Sequence, residues 1–303
     1  MRHFLDLKDF SAETLHQMLE HARALKQAQR ACSGHEKPLA GKTIAMIFEK
    51  PSTRTRVSFE AGIAQLGGTA LVLSAQDLQL GRGESVEDTA RVLSRYVDAI
   101  MIRCFEHDTM MTLAANATVP VINALTNRSH PCQLMADLLT MIEYHGPLAG
   151  QTVAWLGDGN NVAASWVEAA ALFGFQLRMA CPHNYAPPVE LLAWARANGG
   201  DIILTEDVAE AVDQVQSVVT DVWVSMGQEG GSQQQDLAAY QVNEQVMKRA
   251  ACDAIFMHCL PAKRGSEVSA AVIDGPQSVV FDEAENRLHA QKAILAWCVA
   301  GDE

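Results

Sequence analysis

Short apolar runs alternate with amphipathic stretches along most of the chain. In the first half, β-type runs occupy 43–48, 69–74, 98–103 and 119–125. In the second half, they occupy 152–157, 176–182, 201–205, 217–223 and 253–259. Runs of this length separated by helical stretches are typical of parallel sheets, whose strands need crossover connections. The pattern therefore predicts an α/β fold with two doubly wound parallel-sheet domains.

Helix-terminal signals bound the first of these domains. Ser11 is a residue type that caps helices, and the apolar positions after it fall on one helical face: Leu15, Met18, Leu19, Ala22 and Leu25. A longer helical stretch, 132–146, ends at Gly146, and glycine commonly follows the last turn of a helix. A new strand begins shortly afterwards. We therefore expect the first domain over 1–146 and the second over 147–284.

Composition narrows the possible functions. The chain has 303 residues, 49% of them hydrophobic and 19% charged, which is the balance of a globular protein. A net charge of −13 disfavours a nucleic-acid surface. The seven cysteines form no CxxC pair, so we expect reduced thiols and no metal site. Asp6 and Asp9 interrupt the start of the chain where a signal peptide needs apolar residues, so the expected location is cytoplasmic.

Polar residues follow most of the predicted strands. In open α/β sheets ligands bind outside the carboxyl ends of the strands, so these positions are candidates for a functional site. In chain order they read EKPSTRTR, Arg103, TNRSHPCQ, GDGNN, Asp221 and HCLP.

The segment FEKPSTRTRVSFE, 48–60, joins a predicted strand to a predicted helix. Ser52 or Thr53 can cap that helix and leave backbone N–H groups free at its positive end. With the guanidinium of Arg54, the turn is suited to hold a phosphate. The alternative is a capped helix with solvated arginines.

The other candidate segments each allow two interpretations. His130 and Gln133 lie at the start of the 132–146 helix and offer an imidazole and an amide, although a lone histidine is more often structural. GDGNN resembles a dinucleotide loop but has Val162 in place of its third glycine. Asp221 can pair with an ammonium group or cap a helix. Cys259 is a core thiol unless positive neighbours activate it.

Taken together, these motifs resemble the aspartate/ornithine carbamoyltransferase family over essentially the whole chain. The matching segments are FEKPSTRTRVSFE, HPCQLMADLLT, GDGNN, DVWVSMG, MHCLP and EAENRLHAQKA. The resemblance implies transfer of a carbamoyl group from carbamoyl phosphate to the δ-amine of L-ornithine, giving L-citrulline and phosphate in arginine metabolism. It implies no metal and no cofactor. It also implies that a C-terminal helix, 285–303, packs back on the first domain.

The resemblance also assigns residues, position by position. Carbamoyl phosphate would contact Ser52, Thr53, Arg54, Thr55, Gln79, Arg103, His130, Gln133, Cys259, Leu260 and Arg287. Ornithine would contact Asn161, Asp221, Ser225 and Met226. The catalytic residues among these would be Arg54, Arg103, His130 and Cys259. Gln79 matches a position that reaches the neighbouring subunit's site, which implies a homotrimer with shared sites.

Four alternatives remain open. Aspartate carbamoyltransferases have proline where this chain has Cys259, and they lack the SMG motif that follows Asp221. Enzymes for putrescine or N-acetylornithine also lack the pattern that joins Asp221 to SMG. An NAD-dependent dehydrogenase would use GDGNN, but the third glycine is missing. A non-catalytic homologue would show losses at the matched positions, and we find none.

Overall fold

The computed structural model describes residues 1–31, 37–74, 83–223 and 233–300. The chain divides into two compact units. The first contains Met1–Ala136 and Asn286–Glu303, and the second contains Asp137–Glu285. Two helices, Pro131–His145 and Val280–Ala300, contribute residues to both units. The boundary expected after residue 146 therefore stays a prediction.

The first unit is built around a parallel sheet with strand order β2-β1-β3-β4. Its strands are β1 (Thr43–Phe48), β2 (Thr69–Ser74), β3 (Ala99–Arg103) and β4 (Val121–Leu125). Its helices are α1 (Ala12–Arg30), α2 (Thr53–Gln65), α3 (Val86–Leu93), α4 (His107–Asn116) and the first turns of α5 (Pro131–His145). A 3₁₀ turn, Leu7–Asp9, precedes α1.

The second unit contains a parallel sheet with strand order β7-β6-β5-β8-β9. Its strands are β5 (Thr152–Leu156), β6 (Gln176–Ala180), β7 (Asp201–Thr205), β8 (Ser217–Thr220) and β9 (Ile255–Met257). Its helices are α6 (Asn161–Phe173), α7 (Val189–Ala197), α8 (Val208–Val212), α9 (Gln233–Asp236), α10 (Glu244–Arg249) and α11 (Ala270–Ile273). Two 3₁₀ turns, His183–Tyr185 and Ala238–Tyr240, complete it before α12 (Val280–Ala300) begins.

The helix ends follow the sequence signals. Ser11 Oγ accepts the N–H of Thr14 at 3.1 Å, and Ser52 Oγ accepts the N–H of Thr55 at 3.3 Å. Gly146 adopts a φ of 80° directly after α5, a conformation that glycine reaches without a Cβ clash. The first turns of α1 and α2 therefore begin where a serine hydroxyl accepts a free backbone N–H.

The predicted fold class is confirmed. Within the described ranges, all nine β-type runs form strands, and both sheets are parallel. The C-terminal helix also returns to the first unit, where Lys292 Nζ donates to Gln29 at 3.3 Å and to Gln65 at 3.0 Å. Lys26 Nζ donates to Asn286 at 2.6 Å in the same unit. Over the described residues, none of the helices has the length and apolar character that a membrane crossing requires.

Two neighbouring isoleucines on β7 test how burial stabilises the second unit. Ile202 is 8% exposed, whereas Ile203 is 36% exposed on the opposite face of the strand. We predict that Ile202→Ala lowers the free energy of unfolding by about 2–4 kcal/mol, because it leaves a cavity in the core. Ile203→Ala should lower it by about 1 kcal/mol or less. Urea unfolding followed by circular dichroism measures both, and equal losses would contradict this account of the core.

Candidate functional site

Strand register brings three polar segments of the first unit to one edge of its sheet. Arg103, at the end of β3, pairs with Phe48 at the end of β1 and with Leu125 at the end of β4. The segments that follow these strands therefore leave the sheet at the same level. Because β2 and β3 lie on opposite sides of β1, the strand order switches direction here, which is where open α/β sheets bind ligands.

Two arginines converge on a single buried hydroxyl in this unit. Thr55 is fully buried, and its Oγ1 accepts from Arg287 Nη2 at 2.9 Å and from Arg103 Nη1 at 3.4 Å. Arg287 is 4% exposed and lies on α12, far along the chain from α2. Two positive charges close together in a partly buried place repel each other, and a bound anion relieves that repulsion. The arrangement is therefore suited to a phosphate-like group.

An imidazole and an amide lie beside these cations. His130 and Gln133 are both buried where α5 begins, and Pro131 occupies its first position. Burial lowers the pKa of His130 well below its ordinary value, and the charges of Arg287 and Arg103 lower it further. The imidazole is therefore neutral near pH 7, and its N–H can donate a hydrogen bond to a ligand.

The two arginines of the STRTR motif have different surroundings. Arg54, like its neighbour Thr53, lies in the first turn of α2, and its side chain is half-buried. Arg56 is exposed, and its Nε donates to Glu60 Oε2 at 3.1 Å, one helical turn away. Arg56 is thus committed to an ion pair on the helix surface, which makes it a natural comparison for Arg54.

The sequence motifs gave no role to the first two residues after β1. Glu49 Oε2 accepts the N–H of Phe105 at 2.8 Å and so ties the end of β1 to the end of β3. Lys50 Nζ lies 4.2 Å from the centre of the Phe105 ring. Burial lowers the pKa of Lys50, and the charge of Arg103 lowers it further. Their neighbours are distant in sequence, so spacing along the chain could not reveal these contacts.

The second unit has a corresponding switch point between β5 and β8. Leu156 ends β5 opposite Thr220 at the end of β8, and Val219 pairs with Met257 at the end of β9. The segment GDGNN, Asp221 and His258 follow these strands directly. The register therefore collects the polar segments of the second unit at one sheet edge, as in the first unit.

Asp221 is the centre of a hydrogen-bonded cluster at that edge. Its Oδ2 accepts from Asn160 Nδ2 at 2.9 Å, and its Oδ1 accepts from Cys259 Sγ at 3.1 Å. Asn160 also caps α6, because its Oδ1 accepts the N–H of Val162 at 2.9 Å. Asn161 is the first residue of that helix. One carboxylate thus connects the GDGNN turn to the turn that carries Cys259.

The pKa shifts in this cluster indicate which of its groups carry a proton near pH 7. Burial raises the pKa of Cys259 well above its ordinary value, and the negative charge of Asp221 raises it further. Cys259 is therefore a protonated thiol near pH 7. Burial and Asp221 together raise the pKa of Asp158 to about 6, and Gln233 Nε2 donates to Asp158 Oδ2 at 3.0 Å. The sequence motifs assigned no role to Asp158, although its position inside GDGNN could have indicated that it belongs to the site.

Three potential metal ligands also meet here, which cysteine spacing did not indicate. Ligand atoms of Asp221, His258 and Cys259 lie within 4.8 Å of one another. Both ring nitrogens of His258 face protein groups, since Nδ1 accepts the N–H of Leu260 at 2.9 Å and Nε2 lies 3.4 Å from Glu267 Oε1. The contacts in this structure are those of a hydrogen-bonded cluster.

Of the remaining candidate residues, one lies within the described part of the chain and three do not. Leu260 follows Cys259 with a φ of 57°, and its peptide bond to Pro261 is cis. Gln79, Ser225 and Met226 lie outside the described residues. The roles expected for these three residues stay predictions.

Comparison with known proteins identifies one family for both halves of the chain. Residues 2–143 match the family model described as "Aspartate/ornithine carbamoyltransferase, carbamoyl-P binding domain", and residues 149–298 match "Aspartate/ornithine carbamoyltransferase, Asp/Orn binding domain". The ornithine carbamoyltransferase of Nitrobacter winogradskyi is 58% identical, covering 98% of this chain and 97% of its own.

Solved structures give the same result. The ornithine carbamoyltransferase of Pyrococcus furiosus superposes with a TM-score of 0.96 at 50% identity, covering 100% of this chain and 98% of its own. That of Burkholderia thailandensis gives a TM-score of 0.91 at 49% identity, covering 99% of each chain. The chain therefore belongs to the aspartate/ornithine carbamoyltransferase family.

Proposed function

We propose that this protein transfers the carbamoyl group of carbamoyl phosphate to the δ-amine of L-ornithine, giving L-citrulline and phosphate. The observation that carries the proposal is the convergence of Arg103 and Arg287 on the buried Thr55 hydroxyl, beside the start of α2. The choice of ornithine draws on relatives that are named for this substrate and match nearly the whole chain.

In this proposal the first unit binds carbamoyl phosphate. The phosphate is held at the N-terminus of α2 by Ser52, Thr53 and Arg54, where the helix dipole adds to the attraction. Arg103 and Arg287 add charge-assisted hydrogen bonds, with His130 and Gln133 on the carbamoyl end. Because Arg103 and Arg287 already meet at the Thr55 hydroxyl before a ligand arrives, their part of the site needs little reorganisation on binding.

The second unit binds ornithine. The Asp221 carboxylate pairs with the α-ammonium group, and Asn161 with Ser225 and Met226 holds the amino-acid end. Asp158 adds a second carboxylate beside Asp221 and favours a cationic ligand. With its α-substituents fixed in this way, ornithine directs its δ-amine toward the carbamoyl carbon.

The δ-amine must lose a proton before it attacks, since an alkylamine titrates near about 10.4 in water. Cys259 and Asp221 are the two candidate acceptors. Cys259 already carries a proton and donates it toward Asp221, so the thiol is the poorer acceptor.

Attack on the carbonyl produces a tetrahedral carbon whose oxygen carries negative charge. Arg103, the neutral His130 and the Thr55 hydroxyl stabilise that oxygen, and one such donor contributes about 2.7–4 kcal/mol. The attacking nitrogen then releases its extra proton to a phosphate oxygen as the C–O bond breaks, and the phosphate departs with its remaining charge balanced by Arg54, Arg287 and the dipole of α2.

Further properties of this proposal come from the family motifs. The match at Gln79 supports a homotrimer whose subunits complete one another's sites. We place the enzyme in the cytoplasm. We also place the boundary between its two domains between residues 146 and 147. The described cysteines are free thiols, which fits a reducing compartment.

Substrate choice tests the function directly. With carbamoyl phosphate present, we expect product only with L-ornithine when ornithine, putrescine, N-acetylornithine and aspartate are offered separately. The acceptor needs a free α-ammonium group to pair with Asp221, and it needs a second amine, on its side chain, to attack the carbamoyl carbon. A colorimetric assay for ureido compounds measures each reaction. Turnover of putrescine or N-acetylornithine above that of ornithine would reassign the acceptor, and no turnover at all would remove the proposed activity.

The two arginines of α2 provide a matched pair of variants. We predict that Arg54→Gly lowers kcat/KM for carbamoyl phosphate by about a thousandfold or more, because a phosphate contact that strengthens in the transition state is lost. Arg56→Gln should stay within about twofold of the parent, because it removes only an exposed ion pair. Thermal unfolding of both variants controls for folding. Equal activity of the Arg54 variant and the parent would contradict the proposed site.

Alkylation tests the protonation state of Cys259. The exposed Cys252 serves as an internal reference, since both residues are quantified by peptide mass spectrometry after iodoacetamide treatment. We predict that Cys252 reacts much faster at pH 8.5, and that Asp221→Asn speeds modification of Cys259 by at least about threefold, because removing the neighbouring negative charge lowers its pKa. An unchanged ratio in the variant would mean that Asp221 does not control the thiol.

A further inference from the structure

The turn that carries Cys259 has a backbone conformation that needs support. Leu260 has a φ of 57°, in the left-handed region, which is sterically disfavoured for a residue that carries a Cβ atom. Such a conformation persists only where surrounding contacts hold it. Leu260 lies directly beside Cys259, so whatever holds this residue also fixes the position of the thiol.

One of the supporting contacts also defines a tautomer. The N–H of Leu260 donates to Nδ1 of His258 at 2.9 Å, and a backbone amide can only be the donor. Nδ1 therefore carries no proton, and His258 is a neutral imidazole with its hydrogen on Nε2. The N–H of His258 itself donates to Glu283 Oε2 at 2.8 Å, which holds the start of the turn.

The buried carboxylate of Glu267 contacts the turn at both of its ends. Glu267 and His258 are both fully buried, and Glu267 Oε1 lies 3.4 Å from His258 Nε2, a polar contact that falls short of hydrogen-bond geometry. The same oxygen accepts the N–H of Lys263. One carboxylate oxygen therefore contacts the turn near its beginning, through the imidazole, and at its end, through the backbone. A carboxylate is costly to bury without such partners, so its position is tightly determined.

We infer that Glu267 is a positioning residue for the reaction: through the Nε2–H tautomer of His258 and the N–H of Lys263, it holds Cys259 and Leu260 in place. Cys259 in turn donates to Asp221 at 3.1 Å, so the orientation of that carboxylate depends on the same turn. The link to ornithine rests on the proposed function. Glu267 acts through other residues, and its loss disturbs the amine half of the site.

Kinetics of three variants test the inference. Glu267→Ala removes the acceptor, whereas Glu267→Gln keeps an oxygen at the Oε1 position. Its amide nitrogen takes the Oε2 position, which has no hydrogen-bond partner among the described residues. Asp274→Asn is the matched control, since Asp274 carries an exposed ion pair to Arg264 on the same segment, at 2.6 Å.

We expect Glu267→Ala to raise the KM for ornithine at least about tenfold, because small displacements of reacting groups are costly. Its KM for carbamoyl phosphate should stay within about twofold. Glu267→Gln and Asp274→Asn should both resemble the parent. Parent-like ornithine kinetics in the alanine variant, equal changes in both KM values, or the same loss in Asp274→Asn would each overturn the inference.

A spectroscopic measurement does not depend on whether the alanine variant folds. In the parent protein labelled with ¹⁵N-histidine, the resonances of His258, assigned with His258→Asn, should show a protonated Nε2 and an unprotonated Nδ1 at pH 7.5. The opposite tautomer, or an imidazolium, would overturn the positioning role inferred for Glu267 even if citrulline is formed. Absence of citrulline synthesis in the parent would instead overturn the proposed function while leaving this readout unaffected.

Discussion

Parallel pairing imposes the constraint on which both candidate sites depend. Neighbouring parallel strands end at the same edge of a sheet, and their register decides which side chains stand at the same level. Pairing of Arg103 with Phe48 and with Leu125 places the STRTR turn, the β3 arginine and the HPCQ turn together. Pairing of Leu156 with Thr220 does the same for GDGNN and Asp221. Without this register the functional side chains would be scattered.

The two edges differ in charge in a way that suits two different ligands. The edge in the first unit holds Arg103 and Arg287 on one hydroxyl, beside a histidine that burial keeps neutral. The edge in the second unit holds Asp158 and Asp221, where burial raises the pKa of Asp158 and the charge of Asp221 raises it further. Like charges held close together by the fold favour a ligand of opposite sign, so in the proposed function one edge suits an anion and the other a cation.

Burial and the neighbouring Asp221 determine the protonation state of Cys259. A buried thiol next to a carboxylate keeps its proton, so Cys259 works as a hydrogen-bond donor and a shape-determining group, and it is a poor nucleophile. Its position is set by a strained neighbour, Leu260, and by the buried pair His258 and Glu267 behind it. Residues that never touch a substrate thus help to determine how the site is arranged.

The sequence by itself determined the strands, the helix cap at Ser11, a second cap at either Ser52 or Thr53, and the turns that bear the chemistry. These are local properties, because apolar periodicity and capping depend on residues a few positions apart. Tertiary structure alone decided that Arg287 meets Thr55 and that Glu267 supports the Cys259 turn. It also decided that Asp158 lies near Asp221. Such contacts join residues far apart in the chain, and burial, which sets their pKa values, exists only once the core has formed.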